Sequence, residues 1–163
     1  MRYAEVLGLT KSDIDLTNGE ISINKTWDYK YHTGFKKTKN TSSVRAVVLD
    51  TASIMKLTKF LKLHNPETPQ TPIFVSSGHS PVSAEINKIL TQKLKSLGLP
   101  RITFHGLRHT HASILLYQGV SVLSVSKRLG HSNITTTQAT YLHVIKELET
   151  QDNEKILSIL QAI

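Results

Sequence analysis

Between Phe104 and His143 the chain gathers imidazoles, an arginine and a tyrosine at short intervals. His105-Gly106-Leu107-Arg108 is followed by Leu129-Gly130-His131, and Tyr141 lies ten residues beyond His131. An arginine fork can bind two oxygens of a phosphate. A histidine can move a proton near neutral pH, and a tyrosine hydroxyl can serve as a covalent nucleophile. Together these groups could cut a phosphodiester bond without a metal. His105 and Arg108 are three residues apart, so on a helix they share a face and reach one phosphate together.

The elements that must hold these side chains follow from periodicity and end signals. Thr103 precedes a central helix over about 105–118, with Leu107, Ala112, Leu115 and Leu116 turned to the core. Val120-Ser121 opens a helix that runs to Leu129, and Gly130 ends it, presenting His131 just past the end. Residues 134–142 carry Tyr141 behind the run Thr135-Thr136-Thr137. His109 and His111 with His105 could suggest a metal site. Positions 109 and 111, however, lie about 200° apart on a helix, and neither a cysteine nor a nearby carboxylate completes a ligand set. Structural hydrogen bonds are the expectation for both.

Earlier in the chain, Arg2–Leu9 reads as the last turns of a helix without a cap. Asp15–Ile23 contains Asn18-Gly19, a strong hairpin signal. Residues 25–31 and 44–49 suggest a second pair of strands, joined by a basic, flexible loop over 33–43. Asp50-Thr51 caps a helix to His64, with Ile54, Leu57, Phe60 and Leu61 on its core face. Ile73–Val75 reads as a short strand. Ser83, as N-cap, opens a helix to Leu97 that buries Ile86, Ile89, Leu90 and Leu94. The tail from Lys146 is acidic at first and then strongly apolar, with a stripe that needs covering. Docking on the same chain and docking on another are equal alternatives. The class is α+β, mainly helical, with a small antiparallel sheet near the N-terminus.

The 163 residues fit one domain with its own core. Twenty Lys and Arg against 12 Asp and Glu give a net charge of +8, which favours a polyanionic partner. The chain has no cysteine, so disulfides and thiolate metal sites are excluded. No apolar run approaches the roughly 20 residues of a membrane span, and no signal segment opens the chain.

The three boxes in this order resemble those of the tyrosine recombinases, the integrases of phages and conjugative transposons. The resemblance implies the DNA breaking-rejoining fold, with residues 1–163 as a catalytic domain truncated at its N-terminus. Core-binding and arm-binding domains would be absent, and 145–163 would form a tail helix. It implies six catalytic residues: Arg2, Lys39, His105, Arg108, His131 and the nucleophile Tyr141. Arg2 and Glu5 match an Arg-x-x-Glu box, in which Glu5 orients the site. Arg2 and Arg108 would clamp the phosphate, His131 would donate to it, and His105 would assist proton removal from Tyr141. The family's mobile hairpin lysine, counted back from Arg45, falls best on Lys39, with Lys37 the alternative. Lys36, Lys37, Lys39 and Arg45 would touch DNA.

The resemblance further implies strand exchange through a 3′-phosphotyrosine link, with no metal or other cofactor. The implied partner is double-stranded DNA, bound by a homo-tetramer on two duplexes. Accessory DNA-bending or directionality factors are further implied partners, and the implied setting is the bacterial cytoplasm. A type IB topoisomerase and a non-catalytic DNA-binding module are the two other classes that fit. The Leu-Gly-His box and its ten-residue step favour the recombinase.

Overall fold

Asp15 folds the first hairpin. Its carboxylate accepts from the backbone N–H groups of Thr17 and Asn18, both at 3.0 Å, and from the Asn18 amide at 2.6 Å. Gly19 then takes φ +67°, a conformation that suits glycine. This turn joins β1 (Ile14–Asp15) to β2 (Glu20–Ile23). The computed structural model describes residues 1–64, 66–76 and 80–162, with the side chains of 150 and 151 set aside.

Strand β2 is central. Its other edge pairs with β5 (Arg45–Val48) in antiparallel register, Ile21 opposite Val47. Alternation along β2 buries Ile21 and Ile23 and exposes Ser22. These side chains join Leu9, Val47, Leu61 and Ile73 in a first core, roofed by α2 (Thr51–His64) through Leu57, Phe60 and Leu61. Each large aliphatic buried this way contributes about 1.5–3 kcal/mol.

The second pair of strands differs from the expectation. Strand β3 (Lys25–Trp27) pairs with β4 (Phe35–Lys37), inside the stretch read as a loop, while β5 joins β2 instead. The cause is Asp28. Its carboxylate accepts from Thr33 Oγ1 at 2.6 Å and binds Lys36 Nζ at 2.7 Å, and its N–H donates to Gly34 O at 2.9 Å. Trp27 meets Phe35 edge-on, with ring centroids 5.1 Å apart, and stays outside the first core. Ile73–Val75 is no strand either. A bridge pairs Thr10 with Pro72, and the Ile73 N–H donates to Leu9 O at 2.9 Å.

The helical half holds α3 (Ser83–Ser96), α4 (Phe104–Tyr117), α5 (Val122–Leu129), α6 (Ile134–Thr140) and α7 (Leu142–Gln161), after the short α1 (Tyr3–Leu7). Helix α3 has Val82 as its N-cap residue, not Ser83, and leaves Ile89 63% exposed. Asn87 ties it to α4 by accepting from the Phe104 N–H at 2.7 Å. Leu107 on α4 is also exposed, against the expectation. The second core comprises Ala112, Leu116, Val125, Leu129, Tyr141 and Val144. Helix α7 starts earlier than the expected tail, directly after Tyr141, and Ile156, Leu157, Ile159 and Leu160 near its end are exposed.

Candidate active site

The site is built at the C-terminus of α5. A helix leaves its last carbonyls without intrahelical partners, at the negative end of its dipole. Here three successive carbonyls each receive one arginine. Arg45 Nε donates to Arg128 O at 2.7 Å, Arg108 Nη2 to Leu129 O at 2.7 Å, and Arg2 Nη2 to Gly130 O at 3.1 Å. Three guanidinium groups drawn from β5, α4 and the N-cap of α1 therefore converge on one turn of backbone.

Glu5 holds this cationic cluster together. It is 1% exposed, and its oxygens accept from Arg2 Nη1 at 2.9 Å, the Arg2 backbone N–H at 2.7 Å and Arg45 Nη2 at 3.0 Å. Burial pushes its carboxyl up, but the hydrogen bonds from Arg45 and Arg2 prevail and hold it below the ordinary carboxylate value. Ser43 adds its Oγ to Arg2 at 3.3 Å and its carbonyl to Arg45 Nη1 at 2.8 Å. The turn before β5 thus touches the site directly.

Arg108 is the most buried of the three arginines. Its side chain is buried, and its Nη1 has no hydrogen-bond partner. Burial, and then the nearby Arg2 charge, lower its pKa to about 10, so it remains a cation at neutral pH. An inward-facing donor on a cation, left unmatched beside a second arginine, suits an anion.

His131 follows Gly130, whose φ of +69° ends α5. Its Nδ1 lies 2.8 Å from Oγ1 of the fully buried Thr137. Burial first, then Arg108, Arg2 and Arg45, lower its pKa to about 4. The ring is therefore neutral at pH 7. With the Thr137 hydroxyl donating to Nδ1, the proton sits on Nε2, where it can be given to an oxygen in the pocket. Thr137 was legible only as one member of a threonine run.

Tyr141 is 2% exposed, at the junction of α6 and α7. Its Oη lies 3.0 Å from His109 Nδ1. Burial raises the phenol pKa, and the Arg108 charge partly offsets this. His105, expected to assist this phenol, stands one ring away: its imidazole meets that of His109 edge-on at 4.9 Å, and it is His109 that reaches Tyr141. Burial, then His109, Arg108 and Arg2, depress the His105 pKa. His111 accepts from Arg128 Nε at 3.0 Å, as a structural bond. Among the described residues no cluster of His, Asp or Glu is suited to hold a metal ion.

The hairpin residues divide. The side chains of Lys37 and Lys39 are exposed and, among the described residues, make no hydrogen bond or ion pair. Lys36 is bound to Asp28 and lies 5.6 Å from the Tyr31 ring centroid. The Arg45 side chain is only 7% exposed and is hydrogen-bonded to Glu5 and two carbonyls, so it braces the site. Among the described residues no helix is long and apolar enough to cross a membrane.

The chain is thus a mainly helical domain with a small antiparallel sheet, in which three arginines cluster near a buried phenol. Residues 1–147 match the model of the phage integrase family, and the chain belongs to that family. It is 32% identical over 169 residues to the integrase of Staphylococcus phage L54a, covering 96% of this chain and 48% of that protein. It is 27% identical over 171 residues to the ICEBs1 integrase of Bacillus subtilis, covering 98% and 46%. The chain thus spans about half the length of the curated relatives it matches. Among solved structures, the Tn1549 transposon integrase in complex with circular intermediate DNA superposes with a TM-score of 0.72 at 23% identity, covering 86% of this chain and 51% of that one. The XerA recombinase gives 0.69 at 25%, covering 93% and 51%. The fold is that of the tyrosine recombinase catalytic domain.

Proposed function

We propose that this chain is the catalytic portion of a site-specific DNA recombinase that cleaves and rejoins DNA through a 3′-phosphotyrosine intermediate. The observation that carries the reading is the convergence of Arg2, Arg108 and His131 on the end of α5, with a buried Arg108 donor lacking a partner. Such a set is complementary to the charge that develops on a phosphate under attack.

In this reading Arg2 and Arg108 clamp the two non-bridging oxygens, and His131 Nε2–H donates to one of them. The Tyr141 oxygen attacks phosphorus. The bond from phosphorus to the 5′-oxygen breaks, and Lys39 protonates the departing oxygen, with Lys37 as the alternative donor on the same exposed segment. The phosphotyrosine link retains the bond energy, so a second 5′-hydroxyl can reverse the step without ATP. Glu5 and Arg45 keep the clamp in place. The names of the relatives support duplex DNA as substrate. The full-length protein would act as a homo-tetramer on two duplexes in a bacterial cytoplasm, assisted by DNA-bending or directionality factors, with this chain as its catalytic domain.

The test is a nicked suicide duplex presented to the full-length protein. Tyr141→Phe should bind it and form no covalent adduct, and Arg108→Ala should lose cleavage by about a hundredfold or more, because a charged oxygen is left without its donor. A clear adduct from Tyr141→Phe would refute the nucleophile, and near-normal cleavage by Arg108→Ala would remove Arg108 from the site.

A further inference from the structure

We propose that His109, at the position directly after Arg108, is the group that takes the proton from the Tyr141 hydroxyl. The inference rests on Tyr141 being the nucleophile. Its basis is geometry: a general base must lie within hydrogen-bond reach of the proton it removes. His109 Nδ1 is 3.0 Å from Tyr141 Oη, and among the described residues no other side chain is hydrogen-bonded to this phenol. In the Nε2–H tautomer Nδ1 is an acceptor, and the phenol donates to it.

The surroundings suit the task. Tyr141 is 2% exposed, so no solvent layer is at hand to receive its proton. His109 spans both environments: its Nδ1 meets the buried phenol, while the residue as a whole is exposed and can exchange its proton with water. Arg108 lies close enough for its charge to act on the phenol. His105 packs edge-on against the His109 ring at 4.9 Å and helps fix its plane.

The step balances. The O–H bond of Tyr141 breaks, its proton moves to His109 Nδ1, and Oη forms the bond to phosphorus. The leaving oxygen carries off its electron pair and takes a proton from the lysine. On rejoining, the imidazolium returns its proton to the phenol.

The need for such a base is set by the phenol. With a pKa near 10 only about one tyrosine in a thousand is ionised at pH 7, and burial pushes Tyr141 higher still. The test uses a phosphoryl donor that needs neither DNA nor a general acid. Diisopropyl fluorophosphate transfers its phosphoryl group with loss of fluoride, and mass spectrometry locates the modified tyrosine. Tyr141 should be labelled in preference to the exposed Tyr31. His109→Phe should slow the labelling about 100-fold or more at pH 7, and its rate should climb about tenfold per pH unit. His109→Asn can accept the phenol's hydrogen bond but cannot take its proton, so it should be equally slow. The loss should be smaller for His105→Phe than for His109→Phe, because it is His109 that is hydrogen-bonded to the phenol.

Labelling of Tyr31 with none at Tyr141, or a wild-type profile from both His109 variants, would overturn the inference. Retention of the rate by His109→Asn alone would also overturn it, by reducing His109 to a holder of the phenol. The nucleophile reading is judged separately, by the DNA adduct. If Tyr141→Phe abolishes the adduct while the His109 variants form it at the wild-type rate, the inference alone falls.

Discussion

The junction of Gly130 with Arg45 yields the sharpest stability prediction. Gly130 has φ +69°, and a Cβ built on it would come 2.6 Å from Arg45 Nη1 and 3.0 Å from Arg45 Cζ. Gly98 supplies the control, because its φ is +66° and a Cβ there meets nothing within 4 Å. Alanine in the left-handed region costs about 1–2 kcal/mol. Loss of unfolded-chain freedom on replacing glycine returns about 0.4–1 kcal/mol. Gly98→Ala should therefore cost about 1 kcal/mol. Gly130→Ala carries the same backbone cost and in addition displaces a guanidinium pinned by Arg128 O, Ser43 O and Glu5 at 2.7–3.0 Å. Loosening hydrogen bonds to a charged group adds about 1.5–3 kcal/mol. The total of about 3–4 kcal/mol is a large share of the 5–15 kcal/mol typical of a domain.

Urea unfolding followed by Trp27 fluorescence measures both variants. With a slope of about 1–3 kcal/mol per molar urea, the extra cost of about 1.5–3 kcal/mol should put the midpoint of Gly130→Ala about 0.5–3 M below that of Gly98→Ala. The double-mutant cycle makes the argument strict. With Arg45→Ala already in place, the extra cost of Gly130→Ala should vanish and the two alanine substitutions should cost the same. Equal costs for Gly98→Ala and Gly130→Ala in the unaltered chain would refute the account of Gly130 as space reserved for Arg45.

Two further outcomes follow from the charged groups. The folded-state pKa of His131 is lowered to about 4, below its unfolded value. Between those values the unfolded chain binds the extra proton, so stability should be full above about pH 6.5 and decline as pH falls towards 4. His131→Asn should flatten that slope, and an unchanged slope in a urea series from pH 7 to 4 would deny the burial of this ring among cations. Asp28→Ala should free the β3–β4 hairpin, since Thr33, Lys36 and the turn backbone lose their common acceptor. Limited proteolysis should then cut between Lys30 and Lys39 well before the rest of the chain, and resistance equal to the wild type would show that Asp28 does not hold the turn.

The helices around the site were legible because each carries local signals. Thr103 caps α4, Ser121 caps α5 and Gly130 ends it, and the structure places all three as such. The Asn18-Gly19 hairpin was legible for the same reason, its turn chemistry lying within a few residues. Strand partners were not, because pairing is a long-range choice. Nothing local in 33–43 reports that Asp28, several residues upstream, gathers Thr33 and Lys36 and so turns a basic loop into β4. Ile89 on α3 failed differently. It fits the helical period of Ile86 and Leu90, yet periodicity ranks faces without saying how far the neighbouring elements extend over them.

The site itself divides along the same line. Residue types and spacing identify Arg108, His131 and Tyr141 as a set, but they are silent about which hydrogen bonds each one makes. Arg45 was read as a DNA contact because it is a cation beside lysines, whereas its environment is a buried carboxylate and two carbonyls. His109 was read as structural because it was weighed as a metal ligand, on an angular argument that holds for one ion and has no bearing on a partner from another helix. Tyr141 reaches it from 32 residues away. In a site assembled from chain ends and helix ends, each charged side chain has two candidate uses, holding the architecture or meeting the phosphate. Burial decides between them: Arg45 and Glu5 have their hydrogen bonds filled from within, and Arg108 Nη1, buried and unfilled, is the donor that the proposed substrate would meet.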